Sequence, residues 1–362
     1  MKEKLKERLK ELTSLVGVSG SEQEVVKYMK NNLEKYADEV MVDPFGNVIA
    51  TKHGKNAGPK LMIAAHSDEI GFSVKNILSD GFILFNKIGM ASDKVLEGRK
   101  VLIKGSIPGV IGIKPGHLQT PEETKKVNSS KECYIDVGAS SKEEVESLGI
   151  GIGDPIGYRS DFMEMANSDY ICTKSIDNRM NCAILIELFS QIKDLEFDGT
   201  IYGVVTVQEE TGMKGAFMVG NRIEPDYAIV IDTIPSGDTP DVNTERDLPI
   251  YLGKGPACVI ADGILPGLLF TYSHPSVIEI IREQAKLVDV NVQYTTLVGE
   301  GYATDAARLS YSGKGIPTAM LVVPRRYSHS PVELVNINDA LGSLSILENV
   351  VKQNGKKEIK FV

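Results

Sequence analysis

Leu61-Met-Ile-Ala-Ala-His-Ser-Asp68 decides the fold: an apolar run beginning at Lys60 reads as a strand, and it ends on a His and an acid. The arrangement recurs downstream. Thr200–Val207 is strand-like and runs into Gln208-Glu209-Glu210, Tyr227-Ala-Ile-Val-Ile231 runs into Asp232, and Thr318–Val323 precedes His329 in Arg326-Tyr-Ser-His-Ser-Pro-Val-Glu333. Asp177, in Ser175-Ile-Asp-Asn-Arg179, opens an apolar helix that runs through Phe189. Strands alternating with helices predict an α/β fold built on a mixed sheet. In an open α/β sheet, ligands bind outside the carboxyl ends of the strands, so His66, Asp177, Glu210, Asp232 and His329 are expected to terminate strands along one edge.

Outward from that stretch, the chain opens with two helices. The first carries Leu5, Leu9, Leu12 and Val16 on one face, and the second is expected to start at a capping box, Ser21-Glu-Gln-Glu24, with Val25, Met29 and Leu33 at helical spacing. Val40–Asp43 and Val48–Thr51 pair around Pro44-Phe-Gly-Asn47. Helices are expected over Pro275–Val288 and Asn338–Lys352. Between 71 and 165 the texture changes. Thirteen of the chain's 34 glycines fall there, among short runs such as Phe82–Phe85, Lys100–Lys104 and Val110–Ile113, with a helix only at Ser141–Ser147. That pattern predicts a small all-β domain, residues 71–165, inserted into an α/β catalytic domain of residues 1–70 and 166–362. His66 precedes the insert and the other four candidates follow it, so neither part alone can assemble the site.

A net charge of -9 argues against nucleic acid as a partner, because affinity for phosphate backbones comes from clustered cations. No stretch is long and apolar enough to span a bilayer, and the charged amphipathic N-terminus lacks the apolar core of a signal peptide. Cys133, Cys172, Cys182 and Cys258 form no C-x-x-C pair, as expected of reduced thiols in a cytoplasmic protein.

Two His and three carboxylates form a nitrogen–oxygen donor set suited to Zn²⁺ or Co²⁺, with Mn²⁺ as a third candidate. His66 and Asp68 are two apart and point the same way on a strand end, so Asp68 is expected to accept the second ring N–H of His66. Asp177 serves equally as a helix cap or as a carboxylate bridging two cations. Adjacent strand residues face oppositely, so Glu209 and Glu210 are expected to do different jobs. Glu210 then binds metal while Glu209 takes a proton from the attacking water and returns it to the leaving amine. Opposite facing also argues against a glycosidase, whose two carboxyls must flank one bond. Thr304 and Asp305, in Gly301-Tyr-Ala-Thr-Asp-Ala306, are expected to line the substrate pocket, and His117 in the insert to reach an active site, its own or a neighbour's.

Four motifs carry a family resemblance: Ala65-His-Ser-Asp-Glu-Ile-Gly-Phe72, Asp177-Asn-Arg179, Val207-Gln-Glu-Glu-Thr-Gly-Met-Lys-Gly-Ala216 and Arg326-Tyr-Ser-His-Ser-Pro-Val-Glu333. Along its whole length the chain resembles the tetrahedral (TET) and glutamyl aminopeptidases, some of which once carried a cellulase or endoglucanase label. The resemblance implies a metallo-aminopeptidase acting on short peptides. His66 and Asp232 would hold one metal, Glu210 and His329 the other, and Asp177 would bridge them. Glu209 would be the general acid/base and Asp68 the partner of His66. It further implies that the β insert is a dimerisation domain and that dimers assemble into a hollow tetrahedral dodecamer. Rival readings are a deacylase or carboxypeptidase acting on N-acyl substrates, a glycosidase, and a scaffold that kept only the fold.

Overall fold

The computed structural model describes residues 1–264, 269–299 and 301–361. Among the described residues a twelve-stranded mixed sheet carries the longer helices, and a closed six-stranded antiparallel barrel is built within residues 71–158. The strand Asn56–His66 lies at the sheet's centre, parallel to Asp198–Thr206 on one side and to Tyr227–Pro235 on the other. Tyr227–Pro235 in turn pairs in parallel with Thr318–Arg326. Register fixes the site. His66 aligns with Thr206, and Ala64 with Val230, which puts Asp232 level with His66 one strand away.

The helix Ile176–Ile192 packs across this centre and is apolar nearly all round, with Met180, Cys182, Ile184, Leu185, Leu188 and Phe189 buried. A helix apolar on every side is a core helix. Gly203 is required under it: a Cβ there would stand 2.3 Å from the Phe189 ring. The N-terminal helix Lys2–Ser14 and the helix Ile337–Lys352 pack beside it, the first burying Leu5, Leu9 and Leu12 and the second Leu344, Leu347 and Val351.

The barrel strands are Gly71–Ile77, Ile83–Ile88, Lys100–Ile103, Ile107–Ile111, Ile135–Asp136 and Pro155–Tyr158. Phe72 sits at the barrel's core, edge-on to Phe85 and Tyr158 with ring centroids 5.0 and 5.2 Å away. The short helix Lys142–Ser147 is capped by the Ser141 hydroxyl.

Three expectations need correction. The second helix starts at Gln23 without a side-chain cap, so Ser21-Glu-Gln-Glu24 is not a capping box. Glu22 is occupied elsewhere: its carboxylate accepts from the backbone of Gly20 and, across the fold, of Gln208. Only His66 ends its strand. Asp232 lies inside one, and Asp177, Glu210 and His329 follow theirs by three or four residues. Glu209 and Glu210 are in a turn, not on a strand, because the preceding strand stops at Thr206 and Gln208 takes a left-handed φ of 57°. Several strands escape the sequence pattern, among them Ala257–Ile264, Gln293–Val298 and Glu333–Asn336.

Candidate active site

The sheet's carboxyl edge gathers the five residues into two overlapping groups. His66, Asp177 and Asp232 each offer a donor atom within 4.8 Å of the others, and so do Asp177, Glu210 and His329. Asp177 belongs to both. Its Oδ1 is 3.1 Å from His66 Nε2, while its Oδ2 is 3.2 Å from His329 Nε2. His66 Nε2 is 3.5 Å from Asp232 Oδ1, and His329 Nε2 is 3.5 Å from Glu210 Oε1.

Local backbone makes this convergence possible. The strand Tyr170–Thr173 ends before the apolar helix, and Ser175 at φ 55° turns the chain so that Asp177, non-helical in its torsions like Asn178 after it, faces the cavity. Tyr327 and His329 also have positive φ, at 59° and 55°. Left-handed non-glycine residues are sparsely populated and cost free energy. Here they sit in the segments that carry Asp177, Glu209, Glu210 and His329.

Two buried carboxylates fix those segments. Asp68 Oδ1 and Oδ2 accept the backbone N–H groups of Glu209 and Glu210, both at 3.0 Å. Its Oδ1 is also 3.4 Å from His66 Nδ1, but off the hydrogen-bond line, so Asp68 chiefly holds the turn of the paired glutamates rather than the imidazole. Glu333 Oε2 accepts from Asp177 N at 3.0 Å, and its Oε1 from His329 N at 2.9 Å.

Glu209 and Glu210 both open onto the same cavity, about 440 Å³ in volume. The objection to a glycosidase drawn from opposite facing therefore falls with the strand. Met90 and Ser92 from a barrel loop, with Met213, Ile264 and Tyr302, form further wall. The Tyr302 hydroxyl donates to Thr233 O at 2.8 Å. Thr304 and Asp305 lie behind the wall: the Thr304 hydroxyl accepts from Ala306 N, and the Asp305 carboxylate accepts from the Thr206 hydroxyl. His117 is exposed on the turn Gly116–Leu118 and is not among the residues around this cavity. Arg325, which sequence reasoning passed over, is buried in the wall and donates to Asp177 Oδ2. As one of two consecutive arginines after an apolar strand, it reads as a solvated strand end.

Charge is concentrated here. Burial, with Asp232, Glu210 and Asp305 nearby, holds the Glu209 carboxyl well above the usual range against the pull of His66. Burial and the neighbouring Asp177 push Glu210 to about 8. Burial opposes the His329 cation, but Glu210 and Asp177 outweigh it and raise it to about 9. The donor set fits divalent cations: Glu210 Oε1 is buried without a hydrogen-bond partner, and three carboxylates face two imidazoles.

The sign of the pH effect follows. A carboxyl raised to about 8 binds more protons in the folded chain than in the unfolded one above its ordinary value near 4.5, and that excess persists up to about 8. An imidazole raised to about 9 contributes stability below its ordinary 6.5 that is lost as pH climbs through 9. Both terms have the same sign. The thermal midpoint of metal-stripped protein should fall between pH 5 and pH 9, and added Zn²⁺ should flatten or reverse the slope by replacing those protons. A midpoint that rises with pH in the stripped protein would contradict this charge balance.

Comparison with known proteins supplies the family. The model described as M42 glutamyl aminopeptidase matches residues 46–345. The lysyl aminopeptidase of Pyrococcus furiosus is 31% identical over 353 residues, 96% of each chain. The solved structure of an aminopeptidase from the archaeon Desulfurococcus kamchatkensis superposes with a TM-score of 0.91 at 32% identity, covering 100% of this chain and 99% of its own. That of the Pyrococcus horikoshii TET1 peptidase, a protein that can assemble into a tetrahedron or a large octahedral shell, gives 0.82 at 31% identity, with 96% and 99% covered. With the match running through both the sheet and the barrel, the chain belongs to the M42 family of aminopeptidases, hydrolases that act on peptide bonds.

Proposed function

We propose that this protein is a dinuclear metal-dependent aminopeptidase that removes N-terminal residues from short peptides, with Glu209 as general base and general acid. The observation that carries the proposal is Asp177, whose two carboxylate oxygens face different imidazoles. One cation would lie among His66, Asp177 and Asp232 and the other among Asp177, Glu210 and His329. Two divalent cations held there polarise a carbonyl and lower the pKa of water. Zn²⁺, Co²⁺ and Mn²⁺ all suit these donors.

Glu209 belongs to neither group, which leaves its carboxylate free for proton transfer. Burial raises its proton affinity, so it can take a proton from the attacking water and hold it until the peptide nitrogen leaves. Asp68 positions Glu209 through its backbone. Met90, Met213, Ile264 and Tyr302 supply apolar and aromatic wall to the same space.

The working unit is proposed to be a homo-oligomer, a dimer assembling into a tetrahedral dodecamer. The likeness to the TET1 peptidase supports it. The α/β domain, residues 1–70 and 166–362, would carry the chemistry, and residues 71–165 the dimer contact. Residues 265–268, 300 and 362 of the first lie outside the described ones. A cytoplasmic location accords with four free, buried cysteines. Among the described residues no helix is long and apolar enough to cross a membrane.

A panel of aminoacyl-p-nitroanilides and their N-acetyl counterparts, with and without EDTA and re-added Co²⁺ or Zn²⁺, tests the proposal. Metal-dependent cleavage of the free-amine set alone is expected, and the panel names the preferred residue as well. Cleavage of acetylated substrates would make the protein a deacylase. Failure to cleave either set with metal bound would remove the assignment.

A further inference from the structure

The two groups that share Asp177 have different surroundings. His66 and Asp232 are 2% and 4% exposed, and the other ring edge of His66 meets the carboxylate of Asp68. The His329 side chain is 27% exposed. Against this second group stands a built-in cation. Arg325, 2% exposed, donates through Nη2 to Asp177 Oδ2, the same oxygen that faces His329. Its guanidinium is tied down on three further sides: Nε to Glu333 Oε1 at 3.2 Å, Nη1 to Thr233 Oγ1 at 2.8 Å, and Nη2 to Ser328 Oγ at 2.8 Å.

We propose that Arg325 makes the two cation positions unequal, so that the ion held by Asp177, Glu210 and His329 is the weakly bound, exchangeable one. The inference rests on the two-cation reading above and goes beyond it by ranking the positions. Arg325 acts in two ways. It occupies one lone pair of the shared oxygen, leaving Asp177 a poorer donor on the His329 side. It also places a charge beside that ion which no accessible pH removes. Repulsion between a buried unit charge and a divalent cation lowers the affinity by about tenfold or more even when neighbouring carboxylates offset most of it. Glu333, which accepts from Nε of the same guanidinium, offsets part of this, but its oxygens also accept the N–H groups of Asp177 and His329. Arg325 is thus a positioning residue: it sets the strength of a ligand without being one.

The test is a Co²⁺ titration of the metal-stripped full-length protein, without substrate, followed by visible absorption and calorimetry. Wild type should bind in two steps separated by at least about tenfold in Kd. His329→Ala should abolish the weaker step and spare the stronger. Arg325→Gln, which keeps a hydrogen-bond donor but removes the charge, should tighten the weaker step by about tenfold or more. Arg325→Lys, which keeps the charge, should preserve the gap. Two equal steps in wild type, or an Arg325→Gln gap that is unchanged or wider, would overturn the inference. Should Arg325→Gln fold poorly, Arg325→Met takes its place with the same expectation, and a His329→Ala protein that loses the stronger step instead of the weaker would overturn the ranking by itself. Protein that binds no Co²⁺ at all would instead overturn the two-cation reading, and this inference with it.

Discussion

Glu209→Gln should lower kcat by about a thousandfold, within the range that general acid–base groups supply, while metal content and the thermal midpoint hold. Glutamine fills the same space beside Glu210 and keeps the backbone N–H that Asp68 accepts at 3.0 Å. What it lacks is a basic oxygen able to take a proton. Binding of cations should survive, because Glu209 offers no donor atom to either candidate group. Stability should be equal or slightly higher, since the substitution removes one acid from a cavity where burial and neighbouring carboxylates already disfavour its charge. The decisive comparison is kcat and KM for one p-nitroanilide substrate together with metal stoichiometry. A variant within tenfold of wild type would remove Glu209 from the chemistry. A variant that has lost metal would make it a ligand.

Arg179→Met should destabilise the folded chain by about 3–5 kcal/mol, the cost of leaving partners of a buried charge unpaired. Arg179 is fully buried and joins three elements. Its Nε donates to Ser67 O at 2.8 Å and its Nη1 to Leu12 O at 2.7 Å, while its Nη2 lies 3.5 Å from Glu69 Oε1. Glu69 also accepts from Gly17 N at 2.8 Å and Lys174 Nζ at 2.6 Å. One guanidinium therefore ties the end of the N-terminal helix to the strand end that carries His66. Methionine takes the guanidinium donor away from the Ser67 carbonyl, the Leu12 carbonyl, which keeps only Leu15 N, and the Glu69 carboxylate, all in a closed space. The urea midpoint of the metal-free protein measures the loss, and a shift worth less than about 1 kcal/mol, the size of an exposed pair, would show that this network is not structural.

Arg179 also illustrates how far the sequence could be read. The five candidate donors stand out because acids and imidazoles after apolar runs are costly unless something pairs with them. The parallel centre of the sheet follows from the same runs, and the barrel from its glycines and short alternations. What escapes is what depends on the third dimension. Arg179 and Arg325 look like ordinary solvated cations, and only the packed fold reveals them as fully enclosed. The turn at Gln208 carries no glycine or proline to announce it, so Glu209 and Glu210 read as a continuing strand with opposite faces. Ala257–Ile264 contains Asp262 and Gly263, which break the apolar pattern that marks the other strands. Ser21-Glu-Gln-Glu24 resembles a capping box, whereas the bond that Glu22 accepts from Gln208 N reaches far along the sequence. Long-range hydrogen bonds of this kind have no local signature.

The proposed chemistry requires two cations, one on either side of Asp177. Anomalous diffraction from crystals grown with Zn²⁺ or Co²⁺, collected at the metal's absorption edge, tests it most directly. Two peaks about 3.5–4 Å apart are expected, one bounded by His66 and Asp232, the other by Glu210 and His329, with Asp177 between them. A single peak, or metal bound away from Asp177, would contradict it.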